Sequence, residues 1–169
     1  RRLANKCFRR LFCLPEEIIG RIMAVFYLSV NKPKTIIISF MNHSICLDVG
    51  GTNIRGALFQ GDDIQPINLQ KIPTQQNGQN VEERICDLIS SIWPKNGSVD
   101  GIALAAPGFV DSENGMVIRA VNIPGWEYLA LKNILEEKFN HPVFIENDAR
   151  LAALGEYRFG TGIGHHDLI

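Results

Sequence analysis

The run Val99–Ala106 decides most of what this chain can become. Asp100 is its single charged residue, and the rest is apolar or glycine. A strand of that composition has no face to offer water. It must be covered on both sides, inside a sheet that carries helices on its two faces. The flanking signals agree. Ser44–Val49 is a short apolar run that stops at Gly50-Gly51, the form of a buried strand ending in a tight turn. Asn53–Gln60 reads as a second strand and Gly61-Asp62-Asp63 as a hairpin turn. Ile64–Ile72 reads as a third strand, with Pro66 near its start and Pro73 after it. Asn80-Val81-Glu82-Glu83 has the form of a capping box with Asn in place of Ser or Thr. The helix it opens places Val81, Ile85, Leu88, Ile89 and Ile92 on one face, and Pro94 stops it.

Beyond Ala106 the spacing predicts a short strand over Met116–Val121, a helix over Leu129–Phe139, a buried strand over Pro142–Ile145 and a helix over Asp148–Phe159. Asp167–Ile169 has the look of a strand beginning. Hairpin strands followed by alternating helices and strands predict an α/β fold, a mixed sheet flanked by helices.

The chain has 169 residues, 46% of them hydrophobic, enough for a real core. A formal net charge of −1 gives no electrostatic reason to expect a nucleic acid or membrane partner. The charge is unevenly placed, however. Residues 1–40 hold eight Lys or Arg against two Glu, whereas residues 41–169 hold nine against sixteen Asp or Glu. Two different sequences meet near Met41. The apolar run Ile18–Val30 spans 13 residues and contains Arg21, too short and too polar to cross a bilayer, and no good signal cleavage site follows it. A non-native extension is the favoured reading of 1–40, ahead of a targeting segment or an unrecognised appendage, with the domain proper at 41–169. The four cysteines, Cys7, Cys13, Cys46 and Cys86, form no CxxC pair and have no His at ligand spacing, which suits a reducing, cytoplasmic setting. Cys46 and Cys86 read as small buried hydrophobes.

Three places carry candidate chemistry. In Asp48-Val49-Gly50-Gly51-Thr52 a carboxylate ends a buried strand and the chain turns through two glycines. Glycine permits positive φ and has no Cβ, so backbone N–H groups can approach an anion, with the Thr52 hydroxyl beside them. Asp48 would repel a phosphate but could hold Mg²⁺ or its water shell. A plain glycine hairpin is the competing reading. No Gly-Lys-Ser/Thr follows, so this is not a P-loop. In Glu146-Asn147-Asp148, at the carboxyl end of an apolar strand, Asp148 could take a proton from an alcohol and Asn147 could bond neighbouring hydroxyls. Either residue could equally be a helix N-cap. In Ala106-Pro107-Gly108-Phe109-Val110-Asp111 the glycine at a strand end allows close backbone approach, though a plain turn would look the same. Trp126, in Asn122-Ile123-Pro124-Gly125-Trp126, could flank a sugar ring or plug the core. Gly160–Gly164 precedes a strand rather than a helix and reads as a connection, His165-His166 as a surface turn, and Glu146 as an ordinary charged strand end.

Four segments together resemble the ROK family of sugar kinases and related repressors: Cys46–Gly56, Gly101–Asp111, Asn122–Trp126 and Ile145–Glu156. The resemblance covers 44–169 and none of 1–40, and is greatest to glucokinase-type members across Leu154–Gly160. It implies an actin-like ATPase (ribonuclease H-like) fold of two lobes with ATP between them, this sequence carrying one lobe and the second largely missing from it. It implies that Asp48, Gly50, Gly51 and Thr52 lie at the ATP phosphates and metal, with Asp48 reaching Mg²⁺ indirectly. Asp148 would be the catalytic base, Asn147 would bind the sugar and Gly108 would border its pocket. The activity implied is ATP-dependent phosphorylation of a hexose, with glucose to glucose 6-phosphate favoured, as in glycolysis. Little turnover is expected of these residues alone, because one lobe cannot exclude water. The family's second phosphate loop would follow a strand beginning at Leu168, and its structural zinc motif is not in this sequence. The alternative is a sugar-sensing repressor, which would bind nucleic acid through a helix-turn-helix ahead of the sugar domain. Polyphosphate as donor and a homodimer of the full-length protein are left open.

Overall fold

A computed structural model describes residues 42–61, 65–76, 78–159 and 161–164. Asn42–Val49 (β1), Asn53–Gln60 (β2), Asn68–Pro73 (β3), Ser98–Ala106 (β4) and Val143–Asn147 (β8) form one sheet in the order β3-β2-β1-β4-β8. The first three run antiparallel as hairpins, and β4 and β8 add parallel to β1. The mixed sheet with flanking helices is therefore as expected.

Alternation along the strands sorts side chains onto two faces. Ile45, Leu47 and Val49 of β1, Ile102, Leu104 and Ala106 of β4, and Val143 and Ile145 of β8 point to the larger core. Helices Val81–Ile92 (α1) and Leu131–Phe139 (α2) cover that face. Cys46, Ala57, Ala103 and Ala105 point the other way, where Leu151 and Leu154 of helix Asp148–Phe159 (α3) pack on them. Both faces of β4 are thus covered, the requirement its sequence imposed.

Helix α1 starts where Asn80 Oδ1 accepts the N–H of Glu83 at 2.8 Å, and it stops at Trp93, before Pro94. Ile85, Ile89 and Ile92 are fully buried, each contributing about 1.5–3 kcal/mol of transfer free energy. Its close approach to the sheet needs Gly56, where a Cβ would sit 2.9 Å from Leu88.

Several boundaries differ from the sequence expectation. The third strand begins at Asn68, after Pro66 rather than ahead of it; Asp62 and Asp63 of the expected hairpin turn, and Ile64, where the strand was expected to start, lie outside the described residues. The strand expected over Met116–Val121 ends at Arg119 (β6, Met116–Arg119). It is the middle of a second, three-stranded antiparallel sheet with Phe109–Asp111 (β5) and Glu127–Leu129 (β7). Both partners are three residues long, too short to show a period. Helix α2 begins at Leu131, and β8 runs on through Glu146 and Asn147, which backbone pairing with Ala105 and Ala106 holds extended. The expected strand at Asp167–Ile169, His165-His166 and the extension 1–40 all lie outside the described residues. No helix among the described residues is long and apolar enough to cross a membrane.

Candidate active site

The carboxyl ends of the parallel strands β1, β4 and β8 lie side by side. Asp48 is in register with Ala105, and Ala105 with Glu146. By the two-residue alternation Asp48 and Glu146 share the face that α3 covers. Asp148 follows directly as the first residue of α3.

Asn147 is the hub. Its side-chain N–H groups donate to the Gly108 carbonyl at 2.8 Å and to Asp148 Oδ1 at 2.9 Å, while its Oδ1 accepts the N–H of Arg150 at 3.0 Å. The last bond is an N-cap, so the capping alternative is realised, by Asn147. Capping also fixes the amide against Gly108 and Asp148. Asp148 Oδ1 accepts a second bond from the Ala149 N–H at 2.8 Å. Burial pushes the Asp148 carboxyl above its ordinary range, and the Ala149 N–H and the Asn147 amide only partly offset this. A carboxylate so placed is a stronger proton acceptor than an exposed one.

Gly108 has a φ of +87°, and a Cβ there would lie 2.1 Å from the Arg119 carbonyl oxygen. The turn after β4 therefore needs glycine, and it delivers the carbonyl that Asn147 binds.

The Gly50–Thr52 turn joins β1 to β2 beside this group. Its glycines are there for space rather than for positive φ, which neither adopts. A Cβ on Gly50 would sit 3.1 Å from the Asn53 carbonyl oxygen and one on Gly51 3.0 Å from Asn122. Gly50 N–H donates to Asn53 O at 2.9 Å, and Thr52 is exposed. Asp48 pairs with Arg55 at 3.9 Å. Burial pushes its carboxyl up, Arg55 draws it down, and the charge of Asp148 pushes it up again, leaving it above its usual range. Asp48, at the end of β1, lies two strands across from Glu146 at the end of β8, and Asp148 follows Glu146 by two residues. No cluster of three or more His, Cys, Asp or Glu side chains suited to a metal is found among the described residues. One carboxylate does fit Mg²⁺ held mainly by water and substrate phosphates.

Some contributors went unseen in the sequence. Glu146, read as an ordinary strand end, accepts bonds from Ser112 Oγ at 2.7 Å, the Asn147 N–H at 2.7 Å and Arg150 Nη1 at 3.2 Å. It ties the β5–β6 turn to the end of β8. Nothing local marks Ser112, 34 residues away. Trp126 is 1% exposed within the larger core, so it plugs the core and is not available to a sugar ring. Cys46 and Cys86 are buried thiols, as read; burial pushes Cys46 up to about 12 despite a hydrogen bond from Ser44.

The ROK family profile matches residues 44–169. The chain belongs to the ROK family. A glucokinase of Halalkalibacterium halodurans is 37% identical over 129 residues, 73% of this chain and 38% of that protein. A xylose repressor of Bacillus spizizenii is 31% identical over 131 residues, 75% of this chain and 34% of that protein. The crystal structure of a ROK family glucokinase from Streptomyces griseus, in complex with glucose and AMPPNP, superposes with a TM-score of 0.63 at 32% identity, covering 73% of this chain and 38% of that one. The chain therefore has the ROK sugar-kinase fold and spans about 38% of the length of such relatives.

Proposed function

We propose that this chain is the phosphate-binding and sugar-contacting part of an ATP-dependent hexose kinase, with glucose as the favoured substrate. Residues 41–169 form the N-terminal part of the kinase domain, and residues 1–40 are an extension outside the family match. The observation that carries the reading is the convergence of a burial-raised Asp148 with Asn147 and the Gly108 carbonyl, beside the Asp48–Thr52 turn. Similarity to ROK glucokinases, one of them bound to glucose and AMPPNP, supports both substrates.

In this reading Asn147 and the rim at Gly108 hold the sugar with one hydroxyl at Asp148. As the hydroxyl oxygen bonds to the γ-phosphorus of ATP, its proton passes to Asp148 and the bond from that phosphorus to the ADP oxygen breaks. Phosphorylated sugar and ADP leave, and Asp148 releases its proton to water. The Gly50–Thr52 turn lets the donor's phosphates approach the backbone. Mg²⁺, when bound, would neutralise phosphate charge, with Asp48 reaching it through water.

The relation to xylose repressors favours a second reading, in which the same residues hold a sugar without transferring phosphate to it. The complete polypeptide that carries this sequence separates the two. Sugar-dependent ADP release with glucose, mannose, fructose or N-acetylglucosamine supports the kinase. No release with any of them, together with a glucose-induced rise in melting temperature, supports the sensor.

A further inference from the structure

The Gly50–Thr52 turn has two glycines and so carries little stiffness of its own. One residue braces it at both ends. The Thr74 hydroxyl donates to the Gly50 carbonyl at 2.6 Å, and the Thr74 N–H donates to the Thr52 carbonyl at 2.9 Å. Thr74 is fully buried and directly follows β3, whose Pro73 pairs with Asn53 at the far side of the turn.

The brace is itself held. Arg84, on α1 and 4% exposed, donates from Nε to the Pro73 carbonyl at 2.8 Å. Its Nη1 donates to the side-chain carbonyls of Gln76 and Gln79. Among the ion pairs of the described residues, Asp48–Arg55, Arg119–Glu127 and Arg150–Glu146, Arg84 takes no part. A buried guanidinium is costly unless its hydrogen bonds are well used. Here its partners are neutral acceptors of the segment between β3 and α1, and it fixes where Pro73 and therefore Thr74 stand.

We propose that Thr74 and Arg84 are positioning residues for the phosphate-donor site, a strut from helix α1 to the turn that receives the donor. The inference rests on the kinase reading, since it takes that turn as the place of the donor's phosphates. Neither side chain needs to touch ATP. Removing the Thr74 hydroxyl leaves the Gly50 carbonyl without its partner and frees the turn to sample poses that do not accept phosphate. The sugar side, built on Asn147 and Gly108, is tied together by separate hydrogen bonds.

The test is steady-state kinetics of the complete polypeptide, varying ATP and sugar separately, for the wild type, Thr74→Val, Thr74→Ser and Arg84→Lys. Valine matches threonine in shape but lacks the hydroxyl, serine keeps the hydroxyl, and lysine keeps the charge but not the fork. Thr74→Val should raise the KM for ATP about tenfold, as loss of a buried hydrogen bond allows, with the KM for sugar within about twofold of wild type. Thr74→Ser should return the ATP KM close to wild type. Arg84→Lys should shift it in the same direction as Thr74→Val, by less, and carries the test if the valine variant does not fold. An active wild type with an unchanged ATP KM in both Thr74→Val and Arg84→Lys would overturn the strut alone. So would an equal rise in both KM values, which marks a general loss of structure. A wild type that releases no ADP with any sugar overturns the kinase reading, and the strut with it.

Discussion

The side-chain amide of Asn147 donates to the main-chain carbonyl of Gly108, 39 residues earlier, at 2.8 Å. That bond joins the end of β8 to the turn after β4, and the same Asn147 side chain caps α3 through the Arg150 N–H. Capping and the proposed sugar binding can be separated, because serine can cap a helix but cannot reproduce the amide. Asn147→Ala should lower stability by about 1 kcal/mol, whereas Asn147→Ser should stay within about 0.5 kcal/mol of wild type. Both should raise the KM for sugar. Urea unfolding and sugar kinetics on the two variants check this.

Gly108 is more than a flexible link. Alanine there must adopt a φ of +87° and thrust its Cβ to 2.1 Å from the Arg119 carbonyl oxygen. Gly125 has a similar φ of +85° but nothing within 4 Å of where a Cβ would be, so it isolates the conformational part. Gly125→Ala should cost about 1–2 kcal/mol, and Gly108→Ala clearly more, with the β5–β6 turn displaced. Denaturant midpoints of the two variants give the difference.

The raised Asp148 carboxyl has consequences of opposite sign for activity and stability. In the proposed role of base it must be ionised, so the acid limb of kcat/KM should lie above the ordinary aspartate value of about 3.9. For stability, the folded state holds the Asp148 proton more tightly than the unfolded chain. Its contribution is fully present below the unfolded value and is lost as pH rises through the folded one. At pH 7 the ionised, partly buried group therefore weakens the fold. Asp148→Asn should melt at a higher temperature than wild type at pH 7, with the gap closing in acid below about pH 4. Thermal melts across pH would show it.

Much of the fold was legible because its signals are local. The apolar run of β4 demanded two covered faces, and the Asn80 cap, the α1 stripe and Pro94 bracketed a helix that starts right after the cap and ends at Ile92, two residues before the proline. The small sheet was not legible, since β5 and β7 are three residues each and exist only by pairing with β6. In the site, Asp48, Gly108, Asn147 and Asp148 stood out as polar or glycine residues at strand ends, and the fold brings them together. What escaped was support from a distance. Thr74 reaches Gly50 across 24 residues and Ser112 reaches Glu146 across 34, and register alone decides such meetings. Arg84 did leave a trace, because it follows Val81 by three and so stands at the edge of the apolar stripe of α1.

In the proposed reaction Asp148 takes the proton of a sugar hydroxyl during phosphoryl transfer. The most direct test is sugar-dependent ADP release by the complete polypeptide, wild type beside Asp148→Asn, with sugar binding to each measured by calorimetry. The variant should still bind the sugar while turnover falls by about 10²–10⁴-fold. Wild-type turnover in the variant, or no ADP release from the wild type with any hexose, would contradict it.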